Sequence, residues 1–285
     1  MLKGLYTAYT GMINEQHRMD VMTNNLANAD TNGFKKEGAT SQAFDSVLAY
    51  KIKDLSEAGN IPRLISTPKA VDEYEMNNEE NPNYLENRVT RVGMNLGVKT
   101  GENYVDYSEG PMKVTDNPLD LAIAGNGFFA IEYTNKAGET STKYTRDGNF
   151  TMDRQGYLMT QDGDFVLDEN GRRIRMNTAL PVSIDRAGNI TQEGVAVATV
   201  GLTDFEDYDY LERFGENFFE PVEGATEIEA DADIRAGVLE MANMSVVTEM
   251  VNMIAIQRQY DSNQKVITTY DETLDIAVSQ LGKVR

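Results

Sequence analysis

The chain has 285 residues, enough for one large domain or two ordinary ones, with 40% hydrophobic residues and a net charge of −20. It has no cysteine and one histidine, His17, which excludes disulfides, thiolate nucleophiles and Cys-based zinc sites and removes most His-dependent metal and acid–base arrangements. The negative balance argues against nucleic acid and anionic membrane as partners, and no apolar run approaches the roughly 20 residues of a membrane span.

The first residues, Met-Leu-Lys-Gly-Leu-Tyr, run into polar sequence with no apolar h-region and no small-residue cleavage site, so a conventional signal peptide is not expected. Residues 2–28 read as a heptad helix. Leu2, Leu5, Tyr9, Met12, Gln16, Met19, Thr23 and Leu26 alternate steps of three and four, with Tyr6, Ile13 and Val21 beside them. Gly4 and Gly11 each weaken it by about 1 kcal/mol relative to Ala. Such a helix is marginal alone and depends on partners for its order. Asn24, Asn25 and Asn28 lead to Asn32-Gly33, a stop with Gly33 left-handed. His17 lies within the helix without a companion ligand nearby, which favours a surface or packing role over metal binding.

Residues 34–70 are mixed: Phe44, Val47, Leu48 and Leu55 fit a short helix or an extended hairpin equally well. Residues 71–87 are acidic and Asn-rich with a proline, the composition of a loop or insertion. From about Val89 to Ile234 the pattern is β. Turn signals recur at Gly125-Asn126-Gly127, Ala137-Gly138, Asp147-Gly148, Asp162-Gly163 and Asn170-Gly171, with short runs such as Leu119–Ala124, Phe128–Tyr133, Asp164–Leu167 and Val195–Leu202 between them. That spacing predicts an antiparallel all-β domain and argues against a doubly wound sheet.

Lookalikes for chemistry in this region have plainer readings. Gly125-Asn126-Gly127 resembles a dinucleotide fingerprint, but Phe128–Tyr133 alternates as a strand where a helix is required, so a Gly-rich hairpin is expected. Counted from Asp162, the fifth and sixth positions of a calcium loop are Val166 and Leu167, so Asp162, Asp164 and Asp168 are read as turn residues. Acidic pairs for glycoside hydrolysis abound in any such chain, and nothing singles one out. Residues 201–240 hold thirteen Asp or Glu against two Arg, which fits a solvated outer surface better than a cation site. No catalytic residue, cofactor, metal site or small-molecule substrate is expected.

The last forty residues form a second heptad helix, uninterrupted by Gly or Pro from Ser245 to Gln280 and roughly 50–55 Å long at about 1.5 Å per residue. Met253, Tyr260, Ile267, Leu274 and Leu281 make one series; Met250, Gln257, Gln264, Asp271 and Val278 make the other, polar at its middle. Val247, Met250, Val251 and Ile254 add a second apolar stripe, and Asn243 or Ser245 can cap the start. Two heptad helices at opposite ends suggest that the termini pair and the rest loops out between them. The alternative is two unrelated amphipathic helices in one globular core.

Asn24-Asn25-Leu26-Ala27-Asn28-Ala29-Asp30-Thr31-Asn32-Gly33-Phe34-Lys35-Lys36 closely resembles the signature of the bacterial flagellar rod and hook proteins, at a similar distance from Met1. Asn117–Ile123 with Gly125–Phe129, then Tyr144–Phe150 with Asp153 and Gly156–Leu158, then Gly237–Glu240 with Asn243, and Glu249–Ile254 with Gln257–Tyr260 and Asn263, follow in that family's order. Residues 68–95 and 204–233 depart from its pattern.

The resemblance implies an α+β chain in which long paired N- and C-terminal heptad helices form a coiled-coil core domain and a central antiparallel all-β domain faces outward. The corresponding divisions are residues 1–36, a linker with an acidic insertion at 37–94, a β domain at 95–236 and the C-terminal helix at 237–285. It further implies a structural subunit of the basal-body rod, most like the proximal or distal rod proteins, polymerising into the drive shaft that carries torque from motor to hook. The expected interface is Leu2, Leu5, Tyr9, Met12, Met19 and Leu26 with Val247, Met250, Met253, Ile254, Tyr260, Ile267, Leu274, Val278 and Leu281. Copies of itself, other rod and hook proteins, the flagellar type III export apparatus and ring proteins are the implied partners, and export without a cleavable signal the implied route to the basal body. A hook or hook-junction subunit, and more remotely a secreted acidic hydrolase, are the alternatives.

Overall fold

The computed structural model describes residues 2–43, 97–136, 138–215 and 217–281; the expectations for Phe44, Val47, Leu48, Leu55 and the acidic stretch 71–87 lie outside them. In chain order the elements are α1 (Leu2–Ala27), β1 (Glu37–Ala43), β2 (Val98–Val105), β3 (Met112–Val114), β4 (Leu121–Gly125), β5 (Phe128–Thr134), β6 (Thr140–Thr145), β7 (Phe150–Met152), β8 (Leu158–Thr160) and β9 (Phe165–Val166). Then come β10 (Ser183–Ile184), β11 (Asn189–Gln192), β12 (Val195–Thr199), β13 (Leu202–Phe205), β14 (Leu211–Phe214), β15 (Phe218–Pro221), β16 (Glu227–Glu229), β17 (Ala232–Ala236), β18 (Val238–Glu240) and α2 (Val246–Leu281). The chain is α+β, with a helix toward each end and a mostly antiparallel β region between. It divides into two compact units, one within Met1–Met22, Gly38–Tyr104 and Val251–Arg285, the other comprising Thr23–Glu37 and Val105–Met250.

The first unit holds most of both helices and the β1–β2 pair. Thr40 Oγ1 donates to the Glu102 carbonyl at 2.8 Å across that pair, and His17 Nε2 lies 2.9 Å from Asn103 Oδ1 on β2. His17 thus ties α1 to β2. The helices run antiparallel. A Cβ built on Gly4 would stand 2.7 Å from Tyr270 Oη, and one on Gly11 would stand 2.9 Å from Asn263 Nδ2. Each partner is seven residues further back along α2 for seven residues forward along α1.

In the second unit β5 is the pivot. It pairs with β6, β9 and β13, all antiparallel, so both its edges are hydrogen-bonded, and Phe128–Ile131 is buried without a break. Alternation then splits these residues between two cores. Phe129 joins Leu121, Ile123, Phe150, Leu158 and Val166, while Phe128 and Ala130 join Tyr144, Leu167, Phe205, Leu211 and Phe219. The expected strand 195–202 breaks at Val200–Gly201 into β12 and β13, which belong to different sheets.

The Gly125-Asn126-Gly127 segment is not a hairpin turn. β4 pairs with β17 rather than with β5, so these residues carry the chain from one sheet to another. Gly125 and Gly127 take φ of 122° and 125°, values open to glycine and few other residues. No helix follows, and a dinucleotide site has no platform there.

Candidate assembly surface

The signature after α1 is a joint. Asn25 is buried, its Oδ1 accepting from the Glu37 N–H at 2.9 Å and its Nδ2 donating to the Glu37 carbonyl at 2.8 Å. Asn28 donates to the Asn24 carbonyl through both its backbone N–H and its Nδ2, and Thr31 Oγ1 donates to Asn28 Oδ1. Gly33 then turns the chain at φ 64°. A Cβ there would lie 2.4 Å from the Arg146 carbonyl carbon, so both conformation and space require glycine.

Beyond Gly33 the outgoing chain is clasped to the segment that returns toward α2. The Gly33 N–H donates to the Glu240 carbonyl at 2.7 Å. Phe34 is buried beneath the Arg213 guanidinium, 4.3 Å from the ring centroid. Lys35 Nζ, 1% exposed, donates to Glu240 Oε1 at 2.6 Å and to the Ser108 carbonyl at 2.7 Å. Glu240 Oε1 also accepts from the Gly110 N–H, and Oε2 lies 3.5 Å from Arg146, whose Nη2 donates to the Gly125 carbonyl. Asn243 bridges the same strands, accepting from the Lys36 N–H and donating to the Asp106 carbonyl. Burial pulls the Lys35 pKa below the ordinary lysine value; Glu240 opposes this and Arg146 adds to it. A buried cluster of this kind adds little net stability, but removing one member leaves the others uncompensated at about 3–5 kcal/mol. It therefore fixes geometry more than it deepens the fold.

The helices carry the expected interface residues in two settings. On α1, Leu5, Met12, Met19 and Leu26 are half-buried and Tyr9 is 53% exposed, in line with exposed Tyr6 and Ile13. On α2, Met253, Tyr260 and Ile267 are half-buried, whereas Val247, Met250, Ile254, Leu274 and Val278 are exposed. The side chains of Leu2 and Leu281 lie outside the described set. The inward stripe of α2 follows Glu249, Met253, Ile256, Tyr260, Asn263, Ile267 and Tyr270. One expected series is on it. The other, Met250, Gln257, Gln264, Asp271 and Val278, is displaced outward by one residue, about 100° around the helix. On α1 the two glycines, Gly4 and Gly11, are points of close approach to α2. Heptad spacing of Gly4 with Gly11, and of Asn263 with Tyr270, was the available signal.

Among the signature residues, Asn25, Gly33 and Phe34 are buried, Leu26, Asn28, Thr31 and Asn32 are half-buried, and Asn24 and Ala27 are exposed. Among the described residues no group of three or more His, Asp or Glu can hold a metal ion, and no helix is long and apolar enough to cross a membrane.

A buried polar clasp, two amphipathic helices and a β-rich unit mark the chain as a structural subunit, and comparisons with known proteins agree. Residues 5–35 match the family of flagella basal body rod proteins, residues 122–192 the D1 domain of the flagellar hook protein family FlgE/F/G, and residues 235–281 the C-terminal region of the flagellar basal body rod proteins FlgEFG. The flagellar basal-body rod protein FlgG of Bacillus subtilis is 32% identical over 98% of this chain and 99% of its own length. The rod protein FlgF of Caulobacter vibrioides is 30% identical over the full length of both, and the flagellar hook-basal body complex protein FlhO of Bacillus subtilis is 27% identical, also over both in full. The chain belongs to the flagellar basal-body rod protein family, whose members are structural subunits. The three matched regions meet at one place: the first contributes Gly33 and Lys35 to the clasp, the second Arg146, the third Glu240 and Asn243.

Proposed function

We propose that this chain polymerises through α1 and α2 into the axial drive shaft of the flagellum, with a mechanical rather than an enzymatic role. The observation that carries this reading is the uncovered apolar surface on both helices. Tyr6, Tyr9 and Ile13 step along one face of α1, and Val247, Val251 and Ile254 along one face of α2, each 44–71% exposed. Contiguous apolar surface of this kind marks a contact with another macromolecule, and a second copy offers the complementary half. Coiled-coil packing of the paired helices, with the expected seam residues shared between intramolecular and intersubunit contacts, follows from the same reading. Other rod and hook proteins, the type III export apparatus and ring proteins are the remaining partners, and export without a cleavable signal is the route. The relatives named above favour the rod over the hook.

The test is a charge on the outward stripe. Val247→Asp or Ile254→Asp leaves the purified monomer with an unchanged melting temperature, because neither side chain is part of a core. Cells carrying either variant as their only copy lose swimming and stop building the flagellum inside the envelope. Complete flagella in both strains would remove the helices as the assembly surface.

A further inference from the structure

At the start of α2 a cleft of about 390 Å³ is lined by Lys36, Glu109, Pro111, Asn243, Ser245 and Glu249, among others. Its charged groups are satisfied with one exception. Lys36 is paired with Asp106 at 3.2 Å, and Glu109 accepts from the Gly125 N–H. Glu249 is only 9% exposed, yet its carboxylate makes no hydrogen bond or ion pair among the described residues. The helix N-terminus favours a negative charge in the first turn. That explains why a carboxylate is tolerated there; its oxygens remain open to the cleft with no protein donor to pair them. An ionised carboxylate only accepts hydrogen bonds, so the missing occupant is a donor, and a cationic one matches the site best.

We propose that this cleft receives the Arg258 guanidinium of a second copy of the chain, with Glu249 as its counter-ion. The proposal rests on the reading that copies assemble through α2. Arg258 is exposed and has no partner among the described residues. It continues the outward stripe Val247, Val251, Ile254 at the same alternation of four and three, so it lies on the surface already argued to meet another copy. Its planar fork suits bidentate pairing with a carboxylate.

Nine residues separate Glu249 from Arg258, about 2.5 helical turns, which places them on opposite faces of one helix and roughly 13 Å apart along its axis. A chain cannot fill its own cleft. Each copy therefore offers a donor to one neighbour and a cleft to another. This contact is heterologous, the kind that builds a ring or a filament rather than a two-fold dimer.

The chain has no cysteine, so a disulfide can report the contact directly. In cells co-expressing full-length Glu249→Cys and Arg258→Cys chains, mild oxidation is expected to yield a crosslinked dimer that neither variant yields alone. Glu249→Arg and Arg258→Glu, each as the only copy, are expected to cut swimming in soft agar to below a tenth of wild type. The double reversal is expected to restore at least half. The purified Glu249→Gln chain should melt at or above the wild-type temperature.

The proposal falls if single reversals swim normally, if the double is as impaired as the singles, or if dimers form only within one variant. It also falls if Glu249→Gln lowers the melting temperature by more than about 5 °C, since Glu249 would then serve its own helix. Ile254→Asp run alongside separates the two levels. If Ile254→Asp cells cannot swim while the reversals can, only this pairing is wrong; if they swim too, assembly through α2 is wrong with it.

Discussion

Asp147 sits at the turn between β6 and β7, with its N–H donated to Thr145 Oγ1 and its Oδ1 accepting from the Asn149 N–H at 2.9 Å. Burial pushes its carboxyl up to about 6 from 3.8; the Asn149 hydrogen bond opposes this, and Asp162 and Asp120 repel in the same direction as burial. A folded-state pKa above the unfolded one means that the folded chain holds a proton which the unfolded chain releases between about pH 4 and 6. Stability from this group is therefore present below pH 4 and lost as pH rises through 6. Asp147→Asn keeps the Oδ1 acceptor and removes the charge. It is expected to raise stability by about 3 kcal/mol at pH 7 and by less than about 1 kcal/mol at pH 4, read as the difference between variant and wild-type urea unfolding at the two pH values. An equal gain at both would assign the effect to something other than the buried charge. The block Tyr144–Phe150 was recognisable in the sequence, but the roles within it were not. Lys35 and Glu240 are 205 residues apart, and pattern along the chain carries no information about such pairings.

At the scale of elements, α1 shows where periodicity stops being informative. Both helices were legible, since seven-residue repeats of apolar side chains leave few alternatives. Which residues mark the closest approaches between them was not. A hydrophobic count ranks Tyr9 and Val278 above Gly4 and Gly11, whereas close approach by Tyr270 and Asn263 selects residues with no side chain. The glycines cost helix propensity and provide seats for α2. The two effects can be separated. Gly11→Ala gains about 1 kcal/mol of propensity and asks only the end of the Asn263 side chain to shift. Its net effect is expected to stay within about 1 kcal/mol of zero. Gly11→Leu gains slightly less and overfills the seat at about 1–3 kcal/mol, so it is expected to destabilise the helix pair. Far-UV circular dichroism of the monomer should show lost helix in Gly11→Leu and none in Gly11→Ala. Equal helix in both would mean that the seat is not a packing constraint.

On the scale of the whole molecule, buried apolar clusters and exposed apolar stripes fall in different parts. Both buried apolar clusters of the described residues, those around Phe129 and Phe128, lie within Val105–Met250. The other unit shows half-buried helix faces, with exposed tyrosine, valine and isoleucine along them. This uneven distribution was partly legible, because a β-rich middle between two heptad ends already suggested a looped-out domain. The boundary was less so: Thr23–Ala27 continues α1 without a break yet groups with the β unit, where Asn25 is tied to Glu37. Local opening follows buried apolar contact. Amide hydrogen exchange of the full-length monomer is therefore expected to show β5 and β6 at least about 100-fold more protected than Leu5–Met22 and Val251–Leu274, equivalent to roughly 2.7 kcal/mol at 1.4 kcal/mol per tenfold. In assembled rods the same helical amides should approach the protection of the strands, because neighbours would cover the stripes that the monomer exposes. Uniform protection in the monomer would mean that the helices need no neighbour for their order, and the exposed stripes would lose their claim to be the assembly surface.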